Sequence, residues 1–192
     1  MANYKDCPKF NTHNDYYTPY SAWEQIKPYI QEKGFNKIFE CFLLNSNEQS
    51  KKHLQKLGFE VIGNKNVNFL EEETWSEEMI NKEYDCILSN PPYERVKSYK
   101  DRENNLKYKC IKKLFEIDKP FVVILNSCNM FQKWFKELVG DKDIYFIISS
   151  KKIQFDKYKE GGEELIKQPP SCSSSFNAIY VCYKVIDSNI WI

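Results

Sequence analysis

The sequence predicts an α/β protein with a mostly parallel sheet and helices on both of its faces. Apolar runs of strand length alternate with helical patterns along the chain, which is typical of consecutive β-α-β units. One run, Phe121–Leu125, contains no polar residue and therefore resembles a parallel strand that is buried on both faces. A chain of 192 residues with 42% apolar residues can build one hydrophobic core, so we expect residues 1–192 to form a single domain.

The first predicted helix follows a turn-prone segment near the amino terminus. Thr18 is the expected N-cap of this helix, and Pro19 is its expected first residue. Trp23 and Ile26 give the helix an apolar stripe, which we expect Pro28 to interrupt.

The remaining elements follow from strand-length apolar runs, helical periodicity and turn residues. They are, in chain order, a strand at 37–44, a helix that follows residues 45–47 and stops at Gly58, a strand at 59–62, a helix near 77–82, a strand that ends at Asn90, a helix at 106–117, a strand at 121–125, a helix near 130–138, a strand at 144–148 and a strand at 176–183. No helix separates the last two strands, so we expect the final strand to pair antiparallel with a neighbour.

Composition excludes several classes of function. The seven cysteines are an odd number, there are two histidines, and no Cys-x-x-Cys pair occurs, so we expect neither a disulfide framework nor a bound metal. No apolar run is long enough to cross a membrane, and the amino terminus lacks the apolar core of a signal peptide. These features predict a cytoplasmic protein with no membrane partner. The formal net charge of +1 does not by itself indicate a nucleic-acid partner.

The sequence Asn90-Pro91-Pro92-Tyr93 directly follows a buried strand. Two consecutive prolines cannot continue a hydrogen-bonded ladder, because each has a fixed φ and no N–H. The four residues are therefore expected to form a stiff loop at the carboxyl end of the strand, which is where open α/β sheets bind ligands. An ordinary proline-rich turn, or a polyproline ligand for another protein, is the alternative interpretation.

This tetrapeptide, with Tyr17-Thr18-Pro19 before it and a strand–loop–helix near Glu40, resembles the S-adenosylmethionine-dependent DNA adenine-N6 methyltransferases. The nearest match is to the small forms of phages, bacteria and large viruses. The resemblance extends to Asp118–Phe121, to Lys151–Phe155 and to the terminal aromatic strand, and it covers nearly the whole chain. It implies a Rossmann-like methyltransferase sandwich that transfers a methyl group to a flipped adenine in DNA.

The resemblance assigns the adenine pocket to the tetrapeptide. The exocyclic amine of adenine is a poor nucleophile because its lone pair is delocalised into the ring. The Asn90 side-chain carbonyl and the Pro91 backbone carbonyl would accept hydrogen bonds from its two N–H groups and direct the lone pair at the methyl donor. Tyr93 would stack on the flipped base, and the rigidity of Pro91 and Pro92 would hold the carbonyl in position.

The resemblance also implies an S-adenosylmethionine site, from which this chain departs in two places. Its expected residues are Tyr17, Thr18, Pro19, Glu40, Phe42 and Asn66. In the family, the first strand ends in an acidic residue, proline and phenylalanine, followed by a loop with two glycines. Here Cys41 replaces the proline, Leu44 and Ser46 stand near the expected glycines, and Asn66 lies where an acidic residue usually holds the ribose.

Basic residues near the tetrapeptide and beyond the fifth strand are candidates for phosphate contacts. They are Arg95, Lys97, Lys151 and Lys152, and ordinary solvated surface is the alternative for each of them. The chain has no spare length for a separate target-recognition domain. The sequence therefore leaves open whether the substrate is single-stranded or a partner subunit takes part. Because the glycine loop is lost, a catalytically inactive, nucleic-acid-binding or regulatory relative is the competing hypothesis.

Overall fold

The computed structural model describes residues 17–42, 48–63, 69–70, 84–91, 106–156 and 177–192. These residues form a sheet with the strand order β2-β1-β3-β4-β6-β5-β7. Strands β2, β1, β3 and β4 are parallel, β6 runs antiparallel to both β4 and β5, and β7 is parallel to β5. The strands are β1 (Lys37–Phe39), β2 (Glu60–Ile62), β3 (Cys86–Ser89), β4 (Phe121–Asn126), β5 (Ile144–Ile148), β6 (Ala178–Tyr183) and β7 (Ile190–Trp191).

Helices cover both faces of the sheet, as the predicted α/β fold requires. They are α1 (Tyr20–Glu32), α2 (Gln49–Lys56), α3 (Leu106–Ile117) and α4 (Lys133–Val139), with a 3₁₀ turn at Ser127–Phe131. Strand β4 shows the two-faced burial that its sequence predicts. Val122 and Ile124 pack with α1 and α2, whereas Phe121, Val123 and Leu125 pack with α3 and α4.

The strand order reverses between β1 and β3, and this reversal positions the candidate site. Strand β1 leads to α2 on one face and then to β2, whereas β3 leads to α3 on the opposite face and then to β4. The helices that follow β1 and β3 therefore lie on opposite faces of the sheet. In open α/β sheets such a topological switch point forms the crevice in which ligands bind.

Three expectations about local structure are wrong. Helix α1 continues through Pro28, because the burial of Trp23, Ile26 and Ile30 outweighs the cost of a proline inside a helix, about 3 kcal/mol from one lost hydrogen bond and a steric clash. Pro19, not Thr18, is the N-cap of α1.

The third is the length of the first strand, which ends at Phe39 although the Glu40 N–H still donates to the Ile62 carbonyl. The expected antiparallel pairing of the last long strand is confirmed by β6. The predicted helix near 77–82 lies outside the described residues. Strand β7 was not predicted, because two residues are too few to show a periodic pattern.

Within the described residues, no helix is long and apolar enough to cross a membrane. The same residues contain no group of three or more histidine, cysteine or acidic side chains that could hold a metal ion.

Candidate functional site

The carboxyl ends of β1 and β3 are joined by the buried side chain of Glu40. Its Oε1 atom accepts hydrogen bonds from the Ser89 hydroxyl and, at 3.2 Å, from the backbone N–H of Phe42. Its Oε2 atom accepts a hydrogen bond from the Ser50 hydroxyl at the start of α2. Ser50 in turn accepts a hydrogen bond of 3.1 Å from the indole N–H of Trp23 in α1. The network thus connects two strands and two helices at the switch point.

Burial controls the ionisation of Glu40. Only 2% of the residue is exposed, and this desolvation raises its pKa from 4.5 to about 7, against the opposing effect of the donors from Ser50, Ser89 and Phe42. The carboxyl group is therefore poised between its two protonation states near neutral pH. Burial, followed by the charge of Glu40, raises the pKa of the neighbouring Cys41, which remains a thiol and is not a nucleophile.

Asn90 and Pro91 follow β3 directly and therefore lie at the same crevice. Ser89 is fully buried, Asn90 is half-buried and Pro91 is buried, so the protein interior holds the start of the tetrapeptide. Asn90 is the residue next to Ser89 and hence next to the hydrogen bond with Glu40. Pro92 and Tyr93 lie outside the described residues.

The segment Tyr17-Thr18-Pro19 is anchored beside this edge by the chain that follows β5. The backbones of Tyr17 and Asp156 exchange two hydrogen bonds, of 3.1 and 2.9 Å. The Thr18 carbonyl lies 3.2 Å from Nδ1 of His53 in α2. The Thr18 hydroxyl is buried and has no hydrogen-bond partner among the described residues, which marks it as a candidate ligand contact.

The other expected site residues divide into three groups. Phe42 is half-buried and packs edge-on against Phe69, with the ring centroids 4.6 Å apart. Lys151 and Lys152 are exposed just beyond β5. Asn66, Arg95 and Lys97, like Leu44 and Ser46, lie outside the described residues.

Ser89 and Ser50 are site residues that the sequence analysis missed. Ser89 carried a usable signal, because a polar residue that directly precedes the tetrapeptide at the end of an apolar strand needs a buried partner. Ser50 carried none, since a serine in the first turn of a helix is ordinary.

No family model matches the sequence, and no curated protein matches it. Some solved structures are similar to this chain. One is a protein of Listeria monocytogenes, provisionally assigned as a class I S-adenosylmethionine-dependent methyltransferase, with a TM-score of 0.52, 9% identity, and coverage of 97% of this chain and 68% of that chain. Another is the methyltransferase domain of the bacterial protein CtHen1, with a TM-score of 0.45, 12% identity, and coverage of 84% of this chain and 97% of that domain.

The fold is that of the Rossmann-like methyltransferases. At 9% identity the first likeness concerns the fold alone. It agrees with the predicted fold class, whereas activity, substrate and cofactor require arguments from the residues of this chain.

Proposed function

We propose that this methyltransferase-like chain binds S-adenosylmethionine at the β1–β3 crevice and methylates the exocyclic N6 amine of adenine in DNA. One observation carries the proposal: Asn90 and Pro91 lie at the carboxyl end of β3, at the topological switch point. In a methyltransferase-like fold, the Asn-Pro-Pro-Tyr sequence at this position supplies carbonyl acceptors where the substrate amine would approach the methyl donor.

The chemistry assigned to this chain is positioning and polarisation. The Asn90 side-chain carbonyl and the Pro91 carbonyl accept hydrogen bonds from the two N–H groups of the adenine amine, which localises the nitrogen lone pair for attack. The burial of Pro91 and the fixed φ of proline limit reorganisation of these acceptors. Tyr93 stacks on the flipped base.

The residues present fit S-adenosylmethionine in part. The cofactor supplies an activated methyl group on a sulfonium sulfur. The buried Thr18 hydroxyl offers it a hydrogen-bonding group, and Tyr17, Pro19, Phe42 and Asn66 complete the proposed contact set. Glu40 acts as a positioning residue, because its two carboxylate oxygens already accept three hydrogen bonds within the protein.

Transfer of a labelled methyl group tests the proposal. Purified protein is incubated with tritiated S-adenosylmethionine and adenine-containing DNA, single- and double-stranded, and N6-methyladenine is quantified. Asn90→Ala should lower the rate about 100- to 1,000-fold, the usual effect of removing one positioned hydrogen-bonding group. Asn36→Ala, at the opposite edge of the sheet, is the matched control and should retain wild-type activity. Absence of incorporation, or equal incorporation by Asn90→Ala and wild type, overturns the proposal.

A second candidate, a non-catalytic nucleic-acid-binding or regulatory relative, is favoured by the inward orientation of Glu40. This carboxyl group already accepts three hydrogen bonds from the protein, and burial raises its pKa to about 7. The absence of glycine at Leu44 and Ser46 agrees with this candidate. Isothermal titration calorimetry distinguishes the two candidates. Binding of S-adenosylmethionine to the isolated chain supports the enzyme, whereas DNA binding without cofactor binding supports the regulatory relative.

A further inference from the structure

Two aromatic side chains are exposed at the same edge of the sheet as Asn90. Among the described residues the exposed large hydrophobic side chains are Phe131 and Trp191, each with 76% of its surface accessible. A single exposed aromatic residue needs no explanation. The shared location of Phe131 and Trp191 does need an explanation, because both belong to elements that lie at the carboxyl edge of the sheet.

Strand register places Trp191 level with the tetrapeptide. Ser89 pairs with Val123 on β4, and continuing this register by two residues sets Pro91 level with Leu125. Leu125 pairs with Ile179 of β6, and extending the β5–β6 register by one residue brings Ile148 to the same level. Ile148 pairs with Trp191. Pro91 and the exposed indole of Trp191 therefore lie at the same level of the carboxyl edge.

Phe131 and Trp191 also belong to the same face of the sheet. Ile190 packs with the core on the α1 and α2 side, so the next residue, Trp191, faces the side of α3 and α4. Phe131 ends the 3₁₀ turn after β4 and leads into α4, whose Trp134 and Phe135 pack on that side. Four strand spacings, about 19 Å, separate β3 from β7.

Two lysines lie on this edge between β4 and β7. Lys151 and Lys152 follow β5 directly, and both are exposed. Neither ammonium group pairs with a carboxylate in the part of the chain that the structure describes, whereas Lys133 pairs with Glu137 at 3.7 Å. The β7 end is fixed next to them, because the backbone N–H of Ser150 donates to the carbonyl of Ile192. The edge therefore combines exposed rings with positive charge that has no carboxylate partner among the described residues.

We infer that the row formed by Phe131, Lys151, Lys152 and Trp191, here called the edge track, binds single-stranded nucleic acid that flanks the adenine at Asn90. Exposed rings stack on unpaired bases, and lysines contact the phosphates; this combination is typical of proteins that bind single strands. A span of about 19 Å accommodates about six stacked nucleotides, within the usual site size of 4–16. In a duplex the faces of the bases are not available for such stacking.

Fluorescence anisotropy without cofactor tests the edge track independently of catalysis. The probe is a labelled, adenine-containing single strand of about ten nucleotides, as DNA and as RNA, with the matching duplex for comparison. Trp191→Ala and Phe131→Ala should each weaken single-strand binding about 5- to 150-fold and leave duplex binding unchanged. Lys151→Ala and Lys152→Ala should each reduce the slope of log K against log salt by about 0.7, whereas Lys142→Ala, at the opposite edge, should not.

Trp191→Phe separates stacking from a structural effect. Single-strand binding by this variant should persist, while the quenching of tryptophan fluorescence that accompanies binding should decrease, because Trp191 is exposed whereas Trp23 and Trp134, the other tryptophans among the described residues, are buried. The inference rests on the proposed function only for the location of the target adenine at Asn90. Asn90→Ala should therefore lower the methylation rate about 100- to 1,000-fold and weaken single-strand binding by at most about tenfold, the contribution of one hydrogen bond to the adenine. If wild type fails to methylate but Trp191→Ala loses affinity, the proposed function fails and the edge track stands.

Two outcomes overturn the edge track. The first is folded Trp191→Ala and Phe131→Ala variants that bind the single strand as tightly as wild type. The second is a change from dimer to monomer in Trp191→Ala at unchanged affinity, which would make the surface a protein interface.

Discussion

A hydrogen bond between Glu40 and Ser89 joins the carboxyl ends of two parallel strands at the point where the strand order reverses. Ser89 directly precedes Asn90, so the bond fixes the position of the first residue of the tetrapeptide relative to β1. It also places an ionisable group with a raised pKa at the centre of the candidate site. The first two predictions concern this pair.

Glu40→Gln should remove a pH dependence of stability. The pKa of Glu40 is about 7 in the folded chain, against an ordinary value of 4.5, so the folded state binds the proton more tightly. The contribution of Glu40 to the free energy of unfolding is complete below pH 4.5 and is lost as pH rises to 7, a change of about 3 kcal/mol. The free energy of unfolding in urea should therefore decline less across this pH interval for Glu40→Gln than for wild type. Glu24→Gln, on the exposed side of α1, should behave as wild type; parallel pH profiles for wild type and Glu40→Gln would contradict the prediction.

Ser89→Ala should destabilise the fold more at alkaline than at acidic pH. The Ser89 hydroxyl donates to a carboxylate above the pKa of Glu40 and to a neutral carboxyl group below it. A hydrogen bond to a charged group contributes about 1.5–3 kcal/mol, and one between neutral groups about 1 kcal/mol. Unfolding free energies at about pH 8 and pH 5 measure the difference. Ser188→Ala, at an exposed position, is the control; a loss independent of pH would show that packing, not the hydrogen bond, is responsible.

Thr18→Val should raise stability and weaken cofactor binding. The buried Thr18 hydroxyl makes no hydrogen bond within the described residues, so an isosteric methyl group should stabilise the fold by about 1 kcal/mol. If this hydroxyl holds S-adenosylmethionine, its loss should weaken binding about tenfold in calorimetry. Thr18→Ser keeps the hydroxyl and should retain affinity. Unchanged affinity in the valine variant would remove Thr18 from the cofactor site.

Tyr180→Phe should lower the free energy of unfolding by about 1 kcal/mol. The fully buried Tyr180 hydroxyl donates to the Ala22 carbonyl at 2.7 Å and connects β6 to α1. Removal of one buried hydrogen bond leaves the ring packing intact, so the loss should be modest. Chemical denaturation measures it, and Tyr145→Phe on the neighbouring strand serves as the control. Equal stability of Tyr180→Phe and wild type would show that the bond makes no net contribution.

The sequence by itself determined the elements whose signals are local. The uninterrupted apolar run predicted β4, helical periodicity predicted α3 with its observed ends, and two prolines placed Asn90 at a strand terminus. Each of these signals lies within one element, because burial and backbone restriction act on neighbouring residues.

Only the tertiary structure decided which residues meet. Glu40 and Ser89 are 49 residues apart, and the level of Trp191 with Pro91 depends on the register of five successive strands. Strand register and the choice of face depend on packing between distant segments, which no local pattern records. Thr18 was already expected in the cofactor site, but only the tertiary structure showed that its hydroxyl is buried without a hydrogen-bond partner among the described residues.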